Sequence, residues 1–313
     1  MQLLILQPLQ FVSSFLMKHL TRGSGGYDFN NKCIWITGAG SGIGKALAIE
    51  CYRLGANIVV TSRSEDKLKE VETLCNCSTT SHTSMQPKII VFPKDLSNYS
   101  KIDAYYTELE SKLKSEGIEG IDVLFNVAGT SSRGSVLSSS VSTVESIMNI
   151  NFMAPVSLSK AVLPSMISRR REEPCYIVVI SSVQGKIAIP FRSSYSASKH
   201  AVQGYFDSLR SELAGAGANV KVMIVSPGYV ATDLSLNALN GDGSKYGVTD
   251  ESTAKGMKPG ALAKKIIDGM KDGVEDLVEA DLMTSIAIYL KTMFPTIFSA
   301  LMNRRASKQF TRR

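Results

Sequence analysis

The sequence predicts an α/β fold, a doubly wound parallel sheet of about seven strands with helices on both faces. Short runs of β-branched and aliphatic residues alternate with helix-length segments along most of the chain. These runs are apolar at consecutive positions rather than at alternate ones, which is typical of parallel strands buried on both faces. A glycine-rich turn follows the first run and leads into the first helical segment.

The predicted strands and helices alternate from residue 33 onward. The strands are CIWIT (33–37), NIVVT (57–61), KIIVF (88–92), IDVLFN (121–126), YIVVIS (176–181), KVMIVS (221–226) and, as a candidate seventh, DLVEA (276–280). The helical segments span residues 43–54, 64–74, 99–115, 141–150, 155–170 and 195–213. Because parallel strands need crossover connections, this alternation favours one sheet within a single domain.

The positive charge lies at the two ends of the chain. The net charge is +7, of which residues 1–32 contribute +2 and residues 303–313 contribute +5, so the rest is neutral. A nucleic-acid-binding domain usually carries its charge on a folded face, so this distribution argues against that class. Charged ends beside the apolar stretches 3–17 and 282–302 instead favour contact with anionic lipid head groups.

These end segments divide the chain into three parts. Residues 1–27 are an apolar membrane-anchor candidate with a linker, residues 28–281 are the folded domain, and residues 282–313 are an apolar and basic segment predicted to lie at a membrane interface. Lys291 makes a full span by the last segment costly, and a packed C-terminal helix is an equally good interpretation. Five cysteines without disulfide or zinc spacing predict reduced thiols facing the cytosol and no metal site.

The turn TGAGSGIGK after the first strand is predicted to bind the pyrophosphate of a dinucleotide. Gly38, Gly42 and Gly44 have the spacing G-x-x-x-G-x-G, whereas a Walker loop would require glycine at Ala39. The common G-x-G-x-x-G spacing also fails, because it would require glycine at Ile43. Glycines let the backbone approach a phosphate, and amides at a helix start bind its charge. The turn therefore predicts a Rossmann-type site.

The end of the second strand indicates which dinucleotide is bound. It reads Ser62-Arg63, where NAD-specific proteins place an acidic residue against the ribose hydroxyls. A guanidinium can instead pair with a 2′-phosphate. Glu65 and Asp66 follow and are predicted to begin the next helix, where acidic side chains complement the helix dipole. We therefore expect NADP(H) as the cofactor.

A serine, a tyrosine and a lysine form the predicted catalytic set. Tyr195 and Lys199 are four residues apart, so on a helix they share one face. The ammonium is expected to lower the pKa of the phenol, because a positive charge favours the phenolate. Ser182 follows the fifth predicted strand and can hydrogen-bond a carbonyl at the same point. Such a set suits the reduction of a ketone or the oxidation of an alcohol.

With these motifs in this order, the chain resembles the short-chain dehydrogenase/reductase family. The resemblance covers roughly residues 30–280, and its motifs are TGAGSGIG, Asp95-Leu96, Asn126-Val127-Ala128-Gly129, Asn151, Ser182, YSASK at 195–199, and Pro227-Gly228 with Thr232. Val127 departs from the family, which usually has a second asparagine there. The resemblance implies an enzyme that acts on CH–OH or C=O groups with NAD(P).

The resemblance also implies roles for individual residues. Tyr195 is expected to protonate the substrate carbonyl, Ser182 to polarise it, and both to bind the substrate. Lys199 is expected to hold the nicotinamide ribose, with Asn151 positioning a water behind it. The residues expected to contact the cofactor are Gly38, Ser41, Gly42, Ile43, Gly44, Arg63, Asp95, Leu96, Asn126, Ala128, Gly129, Tyr195, Lys199, Pro227, Gly228 and Thr232.

A closer likeness within the family is carried by VQGKIAIPFRSSYSASKHA, SPGYVATDLSLNAL, DGSKYGVTD and ADLMTSIAIYL. It implies a membrane-associated reductase of the endoplasmic reticulum, or alternatively of the peroxisome, with its catalytic domain facing the cytosol. The implied substrate is a lipid-like ketone such as acyl- or alkyl-dihydroxyacetone phosphate. Lys186, Arg192 and Lys245 are candidate partners for a substrate phosphate, and residues 229–258 have the position of a substrate lid.

Two alternatives to this function stay open. The same core serves steroid and retinoid dehydrogenases, and substrate identity depends on the lid and the tail. A non-enzymatic nucleotide-binding scaffold would keep the fold, although such proteins tend to lose the tyrosine or the lysine of the catalytic set. Helices such as 141–170 and 195–213 pair between subunits across the family, so the resemblance also implies a homo-oligomer.

Overall fold

A central parallel sheet organises the structure, a computed structural model that describes residues 26–77, 86–169 and 171–310. The strands are β1 (Cys33–Thr37), β2 (Asn57–Thr61), β3 (Ile89–Val91), β4 (Val123–Asn126), β5 (Ser132–Arg133), β6 (Cys175–Ile180), β7 (Val220–Pro227), β8 (Leu239–Asn240) and β9 (Asp276–Glu279). Seven of them form the sheet in the order β3-β2-β1-β4-β6-β7-β9, with every neighbouring pair parallel. The short strands β5 and β8 pair separately.

Ten α-helices connect and cover these strands in the described part of the chain. They are α1 (Gly42–Arg53), α2 (Glu65–Cys77), α3 (Ile102–Ser115), α4 (Val141–Met148), α5 (Ala154–Ser168), α6 (Ser193–Gly215), α7 (Glu251–Ala254), α8 (Pro259–Lys271), α9 (Leu282–Met293) and α10 (Pro295–Phe310). A π-helical turn, Asn149–Met153, joins α4 to α5. The predicted α/β fold with a seven-stranded parallel sheet and helices on both faces is therefore confirmed.

Two hydrophobic cores lie on opposite faces of the sheet. Consecutive residues of β1 serve both faces: Ile34 and Ile36 pack with α1, α2 and α8, while Trp35 packs with α3, α5 and α6. All three side chains are completely buried. This is the reason for the unbroken apolar runs, because a strand covered on both faces has no solvent-facing position for a polar residue.

The structure differs from the sequence prediction mainly in its helices. The segments 141–150 and 155–170 are one continuous helical stretch rather than two helices, because the π-helical turn bridges them. The apolar tail is split instead: α9 ends before Phe294, which leaves the helical region (φ −137°, ψ 64°) because the residue before a proline is restricted. The short elements β5, β8 and α7, and helix α8, were not predicted.

The apolar segments bear on the predicted membrane contact. Within the described residues, the stretch 141–168 is long and apolar enough to cross a membrane. Its Leu158, Val162 and Met166 are buried against the sheet, however, so it serves as a core helix. The N-terminal anchor candidate lies outside the described residues except for its last two positions, and Tyr27 there packs edge-on against Tyr176 with ring centroids 5.0 Å apart.

Candidate active site

A large cleft lies at the carboxyl ends of the central strands, with a volume of about 650 Å³. β1 pairs with β2 on one side and with β4 on the other, so the direction of winding reverses beside it. Open α/β sheets bind their ligands at this switch point. The lining residues come mainly from the turns after β1, β2, β3, β4, β6 and β7, from the segment that follows β7 and from α6, and Thr284 of α9 and Arg305 of α10 also line the cleft.

The glycine turn between β1 and α1 forms one side of the cleft. Gly38 (φ 64°) and Gly42 (φ 52°) hold left-handed conformations that other residues rarely adopt. A Cβ at Gly44 would lie 2.3 Å from the Gly38 carbonyl oxygen, so only glycine lets α1 begin directly against the turn. This bare backbone at a helix start fits the pyrophosphate of a dinucleotide. The turn residues that line the cleft are Gly38, Gly40, Ser41, Gly42, Ile43 and Gly44.

The residues predicted to hold the adenosine half follow β2 and β3. Arg63 is exposed and lines the cleft together with the exposed Lys67. Asp95 also lines it, and its carboxylate accepts a hydrogen bond from Ser97 N (3.0 Å). The buried Leu96 completes this end. The two basic side chains here would suit a phosphate on the adenosine ribose.

The turn after β4 forms the floor of the cleft. The Thr37 hydroxyl accepts hydrogen bonds from Val127 N (2.9 Å) and Ala128 N (3.2 Å), which holds the turn against β1. Both of these turn residues line the cleft, but Asn126 does not. Its amide donates to Ser159 Oγ (3.3 Å), and the residue is buried. Asn126 thus supports the floor from behind, and its contact with the cofactor stays a prediction.

Ser182, Tyr195 and Lys199 line the cleft together. Each of them is 6% exposed. The Ser182 hydroxyl accepts a hydrogen bond from Gln184 N (3.1 Å) at the start of a short 3₁₀ turn. Tyr195 and Lys199 share one face of α6, and the ammonium lies 5.8 Å from the centre of the phenol ring. It donates to the Ile180 carbonyl (2.8 Å), at the end of β6.

Burial dominates the titration of this group. It raises the pKa of Tyr195, while the Ser182 hydroxyl and the charges of Arg192 and Arg133 act to lower it. Burial also lowers the pKa of Lys199 to about 8. The expectation that Lys199 lowers the pKa of the phenol is therefore wrong for this structure. The ammonium is directed at the Ile180 carbonyl, and loss of water from the phenol outweighs the nearby charges.

Asn151 lies in the π-helical turn, behind the cleft rather than on its surface. Its Oδ1 accepts from Thr130 N (2.8 Å), and its Nδ2 donates to Thr130 O (2.9 Å) and Ser198 Oγ (2.9 Å). A Cβ at Gly129 would lie 3.0 Å from Asn151 Oδ1 and 3.8 Å from Lys199 Nζ. The asparagine thus ties the floor of the cleft to α6, and the water predicted behind Lys199 stays a prediction.

The turn after β7 and the predicted lid form the opposite side. The Pro227 carbonyl accepts a hydrogen bond from Ser182 Oγ (3.5 Å), and Gly228 N donates to Glu279 O (2.8 Å). Thr232 faces the glycine turn, since a Cβ at Gly42 would lie 2.9 Å from its methyl group. Residues of the 229–258 segment on this side include Tyr229, Val230, Thr232, Leu234, Leu239 and Thr253.

Of the three basic residues predicted to bind a substrate phosphate, Arg192 alone lines the cleft. Lys186 pairs instead with Asp276 (2.8 Å), and the exposed Lys245 does not reach the cleft, so these two predictions are wrong. The sequence analysis also missed Arg133, which lines the cleft and pairs with Asp250. No local signal could have found this pair, because the two residues are 117 positions apart.

The chain is similar to known proteins along most of its length. The family described as short chain dehydrogenase matches residues 32–242. The dehydrogenase/reductase SDR family member 7B of Xenopus laevis is 44% identical over 275 residues, which cover 88% of this chain and 81% of that protein. Its namesake in Danio rerio is 44% identical over 283 residues, covering 90% of this chain and 88% of that protein.

Solved structures share the fold. A short-chain dehydrogenase/reductase of Burkholderia phymatum, in complex with NAD, superposes with a TM-score of 0.72 at 22% identity, covering 87% of this chain and 96% of that one. A metagenomic short-chain oxidoreductase in complex with NADP gives a TM-score of 0.63 at 25% identity, covering 81% and 98%. The chain therefore belongs to the short-chain dehydrogenase/reductase family and is an oxidoreductase that acts on CH–OH or C=O groups with NAD(P).

Proposed function

We propose that this enzyme reduces a ketone on a lipid-like molecule with NADPH, in a reversible reaction. The observation that carries the proposal is that Ser182, Tyr195 and Lys199 line one cleft with the glycine turn. The cleft presents aliphatic side chains beside its polar ones, which suits a hydrocarbon-bearing ketone such as acyl- or alkyl-dihydroxyacetone phosphate. Its apolar residues include Val183, Ile187, Ile189, Leu234 and Leu239.

The three buried side chains divide the proton chemistry among them. The nicotinamide, when bound, supplies the hydride. Burial raises the pKa of Tyr195, so the phenol is protonated at neutral pH and can serve as the acid in reduction. The Ser182 hydroxyl polarises the carbonyl oxygen beside it. Lys199, whose pKa burial lowers to about 8, releases a proton more readily than an exposed lysine and can resupply the phenol.

Replacing Tyr195 tests this assignment. Tyr195→Phe removes the acid but keeps the ring, so we expect NADPH oxidation with long-chain ketones to fall by at least about 100-fold. The absorbance of NADPH measures the rate. Tyr205→Phe is the matched control, because Tyr205 lies on the same helix and packs against Phe152 and Phe206 without lining the cleft. Activity that persists in Tyr195→Phe would refute the proposed mechanism.

We propose NADP(H) rather than NAD(H) as the cofactor. The support is the pair of basic side chains, Arg63 and Lys67, that line the cleft after β2. A 2′-phosphate carries the negative charge that these groups would bind, and an unphosphorylated ribose does not.

The two dinucleotides can be compared directly. In Arg63→Ala we expect kcat/KM for NADPH to fall about 10- to 100-fold and that for NADH to change less than about threefold, because only NADPH loses a charge-assisted hydrogen bond. Arg53→Ala controls for the loss of an arginine, since Arg53 ends α1 and pairs with Glu50 away from the cleft. An equal loss with both dinucleotides would contradict NADP selectivity.

We further propose that the enzyme works at a membrane surface, on the endoplasmic reticulum or the peroxisome, with the catalytic domain facing the cytosol. The support comes from α9 and α10, whose apolar side chains are largely solvent-exposed and whose last turns carry basic residues. The exposed apolar residues are Leu282, Met283, Ile286, Tyr289, Met293, Phe294, Ile297, Leu301 and Phe310. A homo-oligomer stays a prediction of the family resemblance.

A further inference from the structure

Two arginines share one aspartate beside the catalytic residues. Asp250 Oδ2 accepts hydrogen bonds from Arg133 Nε (3.0 Å), Arg133 Nη2 (2.5 Å) and Arg192 Nη2 (3.0 Å). The side chains of Arg133, Arg192 and Asp250 are 8%, 14% and 20% exposed. The cluster therefore keeps one uncompensated positive charge in a largely buried place, which is costly unless an anion joins it.

The excess charge faces the cleft. Arg133 and Arg192 both line it, whereas Asp250 does not. Arg192 is the N-cap residue of α6, three residues before Tyr195, and both guanidinium charges act on the phenol by lowering its pKa. The two arginines thus line the same cleft as Tyr195, within the range at which their charges act on the phenol.

The two arginines differ in the donors that they have free. Arg133 also donates to Ser131 Oγ (2.7 Å) and Ser132 O (2.8 Å), so most of its N–H groups are occupied. Within the described residues, the guanidinium of Arg192 donates one hydrogen bond, to Asp250. Arg133 therefore anchors the aspartate, and Arg192 offers unpaired donors to the cleft.

The backbone before Arg192 is strained. Phe191 has φ 63°, a left-handed conformation that a bulky residue rarely adopts. Its carbonyl accepts a hydrogen bond from Gly134 N (3.2 Å), one residue after Arg133. Strain of this kind persists where surrounding structure enforces it, and here it fixes the direction in which Arg192 leaves the chain.

A purely structural role explains only part of this arrangement. An ion pair between Arg133 and Asp250 ties the lid segment to the core, and one arginine is enough to neutralise the carboxylate. Arg192 is nearly as buried as Arg133, and some of its N–H groups are unpaired. Its desolvation is a free-energy cost that the ion pair between Arg133 and Asp250 does not offset. Hydrogen bonds to a ligand with negatively charged oxygens would offset this desolvation cost.

We propose that Arg192, held by Asp250 and Arg133, binds an anionic oxyacid group, a phosphate or a carboxylate, carried by the ketone substrate. The enzyme would then select anionic ketones over uncharged ones of the same length. This inference rests on the proposed ketone reduction and adds to it the group by which the substrate is recognised.

The test compares three medium-chain ketones that differ at one end, carrying a phosphate, a carboxylate or an uncharged methyl ester. In Arg192→Gln we expect KM for the phosphate and carboxylate ketones to rise about 10- to 100-fold, the worth of a charge-assisted hydrogen bond. KM for the ester should change less than about threefold. Lys245→Gln is the control, an equal loss of charge on the lid segment outside the cleft, and should alter none of the three.

Two further measurements separate the ways in which the inference can fail. Arg192→Lys keeps the charge and should recover most of the affinity for the anionic ketones, whereas a simply misfolded site would not be rescued. Binding of the phosphate ketone to the NADP-loaded protein is measured by calorimetry, independently of turnover. If the phosphate ketone binds in an Arg192-dependent way but is not reduced, the proposed function is refuted and the inference is supported. Reduction in which Arg192→Gln affects charged and uncharged ketones alike would overturn the inference alone.

Discussion

At the scale of single residues, the active site depends on two titratable groups that the protein has removed from water. Tyr195 and Lys199 are each 6% exposed, and burial shifts their pKa values in opposite directions, upward for the phenol and downward for the amine. Both shifts favour the neutral form. The phenol is therefore protonated at neutral pH, and Arg192 and Arg133 are the charges that lower its pKa against the effect of burial.

The buried lysine makes a prediction about stability and pH. Its pKa is 10.5 in an exposed chain and about 8 in the folded protein, so between these values the unfolded chain binds more protons. The free energy of unfolding therefore rises with pH across that window. Below about pH 8 the buried ammonium costs on the order of 3 kcal/mol, and above about pH 10.5 this cost is gone.

Lys199→Met removes this cost while keeping the side-chain volume. We expect the variant to be more stable than wild type below about pH 8, and the difference to shrink as the pH rises toward 10.5. The difference in the free energy of unfolding is measured by denaturant unfolding at a series of pH values, without added dinucleotide. Tyr195 is present in both proteins, so its contribution to the free energy of unfolding cancels in the comparison. Because its pKa is raised, that contribution is lost only as the pH rises above about 10. A difference that is constant with pH would contradict the buried ammonium.

At the scale of elements, α9 and α10 are the unusual feature. No residue of α9 is buried, and Phe298 is the buried residue of α10. The two helices are nevertheless attached to the catalytic domain. Lys291 donates to the Lys186 carbonyl (3.1 Å) and contacts His200 Nε2 (3.3 Å), while Phe310 packs against Phe191 with ring centroids 4.9 Å apart. An apolar surface held in place in this way is typical of an interaction site.

The membrane proposal is tested on these helices. We expect the double variant Ile286→Asp, Ile297→Asp to co-sediment with phosphatidylcholine–phosphatidylserine vesicles several-fold less than wild type, because two exposed apolar contacts are replaced by charges that anionic lipid repels. Leu74→Asp, an exposed leucine on α2, controls for a general loss of apolar surface. Unchanged sedimentation of the double variant would assign membrane attachment to another part of the chain.

At the scale of the whole molecule, what could be predicted from the sequence was local. The strands follow from unbroken apolar runs, and the phosphate-binding turn from the glycine spacing, because each depends on residues next to one another. One parallel sheet with a ligand cleft at the carboxyl ends of its strands follows from the rules for such sheets, whereas the order of the seven strands was not predicted.

What could not be predicted depends on tertiary contacts. The pKa shift of Tyr195 is set by burial from several elements, and the Arg133–Asp250 pair joins positions 117 residues apart. Asn126 and Asn151 were expected at the cofactor or in a proton relay, yet both side chains lie behind the cleft. Sequence motifs mark such residues without indicating which way their side chains face.

The position of β1 beside the switch point of the sheet has a consequence for how the protein is made. The sides of the cleft come from the turn after β1, from the turns after β4 and β6, and from the segment that follows β7, which is synthesised far later. A nascent chain that has not yet reached the segment after β7 cannot enclose the coenzyme. We therefore expect dinucleotide added during translation to stabilise the finished domain more than its precursors.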